Sequence, residues 1–237
     1  MKKIFSIIFS VLIISLIIYY YLNIEKKEKE LLINANEDYK IIAFTFDDGP
    51  SNYSLDIANV LKEYRCSATF FEIGYKMKEN QDIVKKLIEL GMEVGSHSYS
   101  HKLLTKLKIE EIQNELYSTK IVFNEITNKE IKLTRYPYGQ VNSKISKYAL
   151  TPIIGWSIDT KDWLYKSVDY TVNEIITNAK DGDIILMHDV YYETLEAVKV
   201  ILPLLKEKGF IITSVSELFK LKNKQLIIGE IYNNIYN

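Results

Sequence analysis

The sequence predicts an α/β fold of parallel strands joined by helical crossovers, and three observations carry that prediction. Short apolar runs of strand length alternate regularly with amphipathic stretches of helical period. Reactive side chains fall just after the apolar runs, where parallel α/β folds present their chemistry. Setting aside an apolar N-terminal segment leaves about 200 residues, enough for one sizeable core and little room for a second domain.

In chain order, Lys2 and Lys3 precede an apolar-and-small run over residues 4–22. Such a helix is about 28 Å long, close to the hydrocarbon thickness of a bilayer. No alanine precedes Ala35 to form a small-x-small cleavage site, and Tyr19, Tyr20 and Tyr21 read as an interfacial belt. Residues 1–24 are therefore expected to form an uncleaved signal anchor, a single-pass membrane segment with the rest of the chain outside the cell. Secretion after signal cleavage is the alternative. Residues 25–39 form a mixed-charge linker, 40–220 the folded domain and 221–237 a tail without an assignable element.

Strands are expected over 41–46, 68–73, 93–95, 132–135, 153–158, 183–187 and 210–213. Helices are expected near 53–64, 82–90 with Gly91 as its stop, 109–126, 143–150, 171–179 and 194–208. In the longest, Ile112, Leu116, Val122, Phe123 and Ile126 recur at helical spacing. Seven strands fit either an open sheet or a closed barrel.

A net charge of −1, with Lys and Glu interspersed, gives no basic face for nucleic acid. The single cysteine, Cys66, excludes an intrachain disulfide and a CxxC metal site, and reads as a small buried or half-buried thiol.

Five segments at strand ends carry chemistry. Thr45-Phe46-Asp47-Asp48-Gly49-Pro50 sets two carboxylates side by side. A cation beside one would relieve their repulsion and leave the other free as a base, although Asp-Asp-Gly-Pro serves equally as a polar turn. His97-Ser98-Tyr99-Ser100-His101 has the four-residue spacing that sets two imidazoles on one side of a helical turn. A lone HxxxH is weak, but the chain has only three histidines and two stand here. Two His and one Asp leave the open coordination that metal-assisted hydrolysis needs. Arg135-Tyr136-Pro137-Tyr138-Gly139 offers an arginine for two-point contact with a carboxylate, and a turn able to aim an N–H at an oxyanion. The segment 156–163 supplies Asp159, Asp162, Trp156 and Trp163; its tryptophans read as core packing or as a stacking wall for a sugar. His188 ends the sixth strand, as a structural histidine or as a proton donor tuned by an aspartate.

Taken in order, TFDDGP, HSYSH, RYPYG, DTKDW and LMH resemble the polysaccharide deacetylases of carbohydrate esterase family four, those with the NodB-homology domain, over roughly residues 40–219. The resemblance implies a distorted (β/α)7 barrel. It implies Asp47 as general base held by Arg135, and Asp48, His97 and His101 as the metal triad. His188 becomes the general acid tethered by Asp162, the Tyr138 N–H an oxyanion donor, and Leu186 and Trp163 the lining of an acetyl-methyl pocket. Asp159 also matches the pattern. The implied cofactor is a divalent ion, Zn2+ first, with Co2+, Ni2+ or Mn2+ as alternatives. The implied reaction is hydrolysis of N-acetyl groups on an extracellular polysaccharide, with a bell-shaped pH dependence. Location and family together point to N-acetylglucosamine of peptidoglycan. A chitooligosaccharide deacetylase, an acetyl-xylan esterase and a non-catalytic glycan-binding module are the other readings.

Overall fold

The computed structural model describes residues 11–23 and 39–236. The chain divides into an N-terminal unit, residues 1–39, and a second unit, Lys40–Asn237. In the first, residues 11–23 form a helix (α1) with exposed apolar side chains. Among the described residues no helix is long and apolar enough to cross a membrane. Residues 1–10 and 24, which complete the expected anchor, lie outside the described residues, as do residues 25–38 of the linker.

The second unit starts with β1 (Lys40–Asp47), α2 (Ser54–Glu63), β2 (Thr69–Glu72), α3 (Gly74–Glu79) and α4 (Gln81–Glu89). There follow β3 (Glu93–Ser96), α5 (Ile109–Thr127), α6 (Ser143–Ser146), β4 (Ile153–Ile154), β5 (Ile158–Asp159) and α7 (Asp162–Tyr165). The chain then runs through α8 (Val168–Asn178), β6 (Ile184–His188), α9 (Tyr192–Glu207), β7 (Phe210–Thr213), α10 (Val215–Leu221) and β8 (Ile231–Tyr232).

β1 is the hub. It is buried at every position after Lys40, as a strand covered on both faces must be. Its second half pairs in parallel with β2 on one edge, while residues Ala43 to Asp47 pair with β6 on the other. Its first half pairs with β7 on the β2 edge. β3 extends the array beyond β2, and β5 beyond β6. Between β3 and β4 stands Thr134, bridged in parallel to Ser96 on one side and Ile153 on the other. Thr134 thus links the six-stranded parallel sheet to the β4–β8 pair, with helices packed outside. Phe44, Phe46, Phe70 and Ile185 lie in the main core, with Leu61, Leu87, Phe123 and Leu202 brought in by the helices.

Three expected elements differ. Residues 132–135 make single bridges rather than a regular strand, because the Arg135 carbonyl is taken by the His97 ring. The expected strand 153–158 splits at Gly155, whose carbonyl accepts from Arg135; Ile153–Ile154 pairs with β8 and Ile158–Asp159 with β6. The helix near 143–150 shortens to Ser143–Ser146. The unassigned tail supplies β8, which hydrogen-bonds Ile153 and Gly155 and carries the chain past β6 through Ile235 N–H to the Gly182 carbonyl. Helix α4 ends as expected, with Gly91 at φ 84° turning the chain out. Cys66 is buried.

Candidate active site

All five reactive segments meet at the C-terminal ends of the strands, around a cleft of about 400 Å³. Asp47 ends β1 with Asp48 just after it, His97 follows β3, Arg135 follows the Thr134 link, Asp159 and His188 end β5 and β6, and Asp162 follows β5. Their common origin is the parallel register, which ends neighbouring strands at one level: Asp47 aligns with Phe71 and with His188.

Among the described residues, Asp48, His97 and His101 are the one group of three ligating side chains whose donor atoms all lie within 4.8 Å of one another. His101 Nε2 lies 3.1 Å and His97 Nε2 3.5 Å from Asp48 Oδ1. Donor chemistry fits a divalent cation. His97 Nδ1 lies 2.8 Å from the Arg135 carbonyl, so that nitrogen carries the proton and Nε2 presents its lone pair to the site. Burial holds His97 below the ordinary histidine pKa, although Asp47 and Asp48 pull the other way. Burial also raises Asp48, but the adjacent His101 ring and the fields of His97, His101 and His188 hold it below the usual carboxylate range. Asp48 Oδ1 is buried without a hydrogen-bond partner, as an atom awaiting a cation would be.

The histidine pair sits on a loop and not on the helical turn that its spacing predicts. Ser98 at φ 62° and His101 at φ 57° occupy the left-handed region, and Asp48 does so at φ 76°. Strained backbone of this kind is held by surrounding structure and clusters at functional sites.

Asp47 is 3% exposed. Its Oδ1 accepts from Arg135 Nη1 at 2.8 Å, and its Oδ2 lies 3.7 Å from His97 Nε2. The expected two-point clamp is a one-point contact, because the rest of the guanidinium is engaged elsewhere. Nη1 also donates to Thr45, Nε to the Ile154 carbonyl and Nη2 to the Gly155 carbonyl. The fully buried guanidinium also lies 4.4 Å from the Phe71 ring centroid.

On the neighbouring strand β6, His188 Nδ1 lies 2.8 Å from Asp162 Oδ1. That oxygen also accepts from Trp163 N–H, while Oδ2 accepts from His188 N–H and the Thr194 hydroxyl. Burial works against the imidazolium of His188. The hydrogen bond and charge of Asp162, with the fields of Asp47 and Asp48, outweigh it and push the pKa up to about 9. Tyr138, Asp159, Trp163 and Leu186 line the same cleft, and Tyr138 adopts φ 62°.

Several residues at the site escaped sequence reasoning. Trp156, left there between core and stacking wall, lines the cleft, as does Tyr191. Glu115 holds the histidine loop through Ser100. Glu72 and Asp189, both fully buried, crowd the open side of Gly49, where a Cβ would collide with both carboxylates. Burial, then the Asp189 charge, raises Glu72 well above its ordinary pKa. Burial likewise raises Asp189 against the Ser54 hydrogen bond.

A parallel α/β array with an Asp/His/His triad, a clamped carboxylate and a carboxylate-tethered histidine at its strand ends defines a hydrolase of the metal-assisted kind. The profile described as Polysaccharide deacetylase matches residues 34–151. The peptidoglycan-N-acetylglucosamine deacetylase PgdA of Listeria monocytogenes is 37% identical over 195 residues, 81% of this chain and 41% of that protein. This chain thus spans about two fifths of that relative's length. A peptidoglycan-N-acetylglucosamine deacetylase of Bacillus cereus is 36% identical over 193 residues, 78% of this chain and 90% of that protein. The family 4 acetyl xylan esterase of Clostridium thermocellum, solved with a cobalt ion, superposes with a TM-score of 0.78 at 27% identity, covering 83% and 99% of the two chains. The chain belongs to the polysaccharide deacetylase family.

Proposed function

We propose that this chain hydrolyses the N-acetyl groups of N-acetylglucosamine in peptidoglycan, releasing acetate and a free amine. The carrying observation is that Arg135-held Asp47 and Asp162-held His188 stand in register on the neighbouring strands β1 and β6, beside the triad. Asp48, His97 and His101 would hold a divalent ion, Zn2+ first, which when bound supplies Lewis-acid polarisation of an acyl oxygen and of water. Asp47 takes the proton of the attacking water as the new carbon–oxygen bond forms. His188 Nε2 gives its proton to the amide nitrogen as the carbon–nitrogen bond breaks, so the amine leaves neutral. The backbone N–H of Tyr138, a residue that lines the cleft, serves the oxyanion; losing such a donor typically raises the barrier by about 3 kcal/mol. Leu186 and Trp163 line the cleft where the acetyl methyl would lie.

Two relatives acting on peptidoglycan support this substrate, and the esterase likeness keeps acetylated xylan as a second reading. Lys2 and Lys3 ahead of the apolar run 4–22 support an N-terminal anchor with the hydrolase outside the cell, which fractionation and protease accessibility in intact cells would check. The deciding assay measures acetate and new amine from peptidoglycan, chitin oligomers and acetylated xylan. Acetate without amine, from xylan alone, would overturn the reading. Glycan binding without acetate release would make the chain a binding module.

A further inference from the structure

We propose that Glu115 is a positioning residue for the metal site, fixing His101 through the loop between the two histidines. The inference rests on the reading of Asp48, His97 and His101 as metal ligands. The two histidines are held by different means. His97 is 3% exposed, and its ring is pinned by the Arg135 carbonyl. Among the described residues no hydrogen bond holds His101 Nδ1, and the ring rests edge-on against Tyr138 at 4.8 Å between centroids. Beyond the Nε2 contact with Asp48, its position is therefore set by its backbone, which stands at φ 57° immediately after a carboxylate-anchored serine.

Glu115 is that anchor. It lies on the inner face of α5, 6% exposed, beside Leu116 and Thr119. Its Oε2 accepts from Ser100 N–H at 2.7 Å and its Oε1 from the Ser100 hydroxyl at 2.5 Å. The Lys102 ammonium stands 3.6 Å from Oε1. A buried carboxylate is costly unless hydrogen-bonded, and the bonds made by the Glu115 side-chain oxygens go to this loop. The Ser98 hydroxyl accepts from His101 N–H at 3.0 Å, closing the turn from its other end. Helix α5 is thus the rigid body against which a strained loop is held, and Glu115 is the link between them.

Glu115→Ala should weaken Co2+ affinity 10- to 100-fold, about the usual effect of losing an outer-shell partner. Chelator competition on the purified full chain measures it. The d–d spectrum of the cobalt protein should change, and turnover should recover at saturating metal. Glu115→Gln, which keeps an acceptor for Ser100, should fall between wild type and Ala. Leu116→Ala, one residue along the same buried face, supplies the control for lost packing alone: it should lower stability and leave affinity and spectrum unchanged. Wild-type affinity and spectrum in Glu115→Ala would overturn the proposal. An equal loss in Leu116→Ala would overturn it too. Failure of the ligand assignment itself would look different, since His101→Ala would then bind Co2+ like wild type.

Discussion

Asp162→Asn probes the acid side of the cleft. Asp162 accepts four hydrogen bonds, two on each oxygen, from Trp163 N–H, the Thr194 hydroxyl and both the ring and backbone of His188. An amide in that place turns its NH2 against donors in either orientation, and the imidazolium loses its charged partner. His188 stands at about 9 against a reference of 6.5. That displacement corresponds to about 3 kcal/mol of preference for the protonated ring. In the Asp162→Asn variant, burial still opposes the charge and only Asp47 and Asp48 favour it, so the midpoint should fall by at least about one unit. Because the folded-state value is raised, the interaction stabilises the fold fully below pH 6.5 and is lost as pH rises through about 9. The destabilisation caused by Asp162→Asn should therefore shrink across that window. NMR titration of the imidazole nitrogens in metal-free protein, with His188→Gln to assign the resonance, reads the midpoint directly. A midpoint that stays near 9 in Asp162→Asn would refute the reasoning. Metal loading should lower the wild-type midpoint, because a cation at the triad offsets the Asp48 field.

Three further outcomes are expected. His97→Ala and His101→Ala should lose bound metal and activity together, whereas His188→Ala should keep its metal and lose turnover; elemental analysis giving equal loading in all three would sink the ligand assignment. Asp47→Asn should lower kcat by about 10²–10⁴ while keeping metal, measured as acetate release, because it removes the proton acceptor. Glu72→Gln should gain stability relative to wild type as pH rises above the ordinary glutamate range. Glu72 is raised by burial and by Asp189, so its contribution is present at low pH and lost as pH climbs. Urea unfolding at about pH 5 and about pH 8 checks this, and an identical difference at both would contradict it.

What could be read in advance was local. Apolar runs such as 41–46 and 183–187 announce buried strands, and reactive residues beyond their ends announce the site. What could not be read depends on contacts between distant segments. Residues 132–135 look like any strand, yet the Arg135 carbonyl serves a histidine 38 positions earlier. The split at Gly155 comes from an arginine 20 residues away drawing on its carbonyl. Glu115 resembles any helical glutamate until Ser100 is placed against it. The HxxxH spacing picked out two histidines that the structure does bring together with Asp48, but through left-handed loop residues and not through the helical turn that the spacing predicts. Glu72, an acid closing an apolar run, looks like a solvated strand end until its buried neighbours are in place.

The strand β8 braces the site from beyond its last reactive segment. Ile153 N–H and Gly155 N–H bond to the carbonyls of Glu230 and Tyr232, while the carbonyls of Ile154 and Gly155 hold the guanidinium that holds Asp47. A nascent chain that has extruded every reactive residue still lacks this brace until residues 230–232 have emerged and docked. Long-range closures of this kind form slowly, because the intervening loop must be ordered first. The hold on Asp47 is thereby tied to a strand that lies beyond all five reactive segments, and a polypeptide halted before that strand would carry the full reactive set in an unbraced cradle.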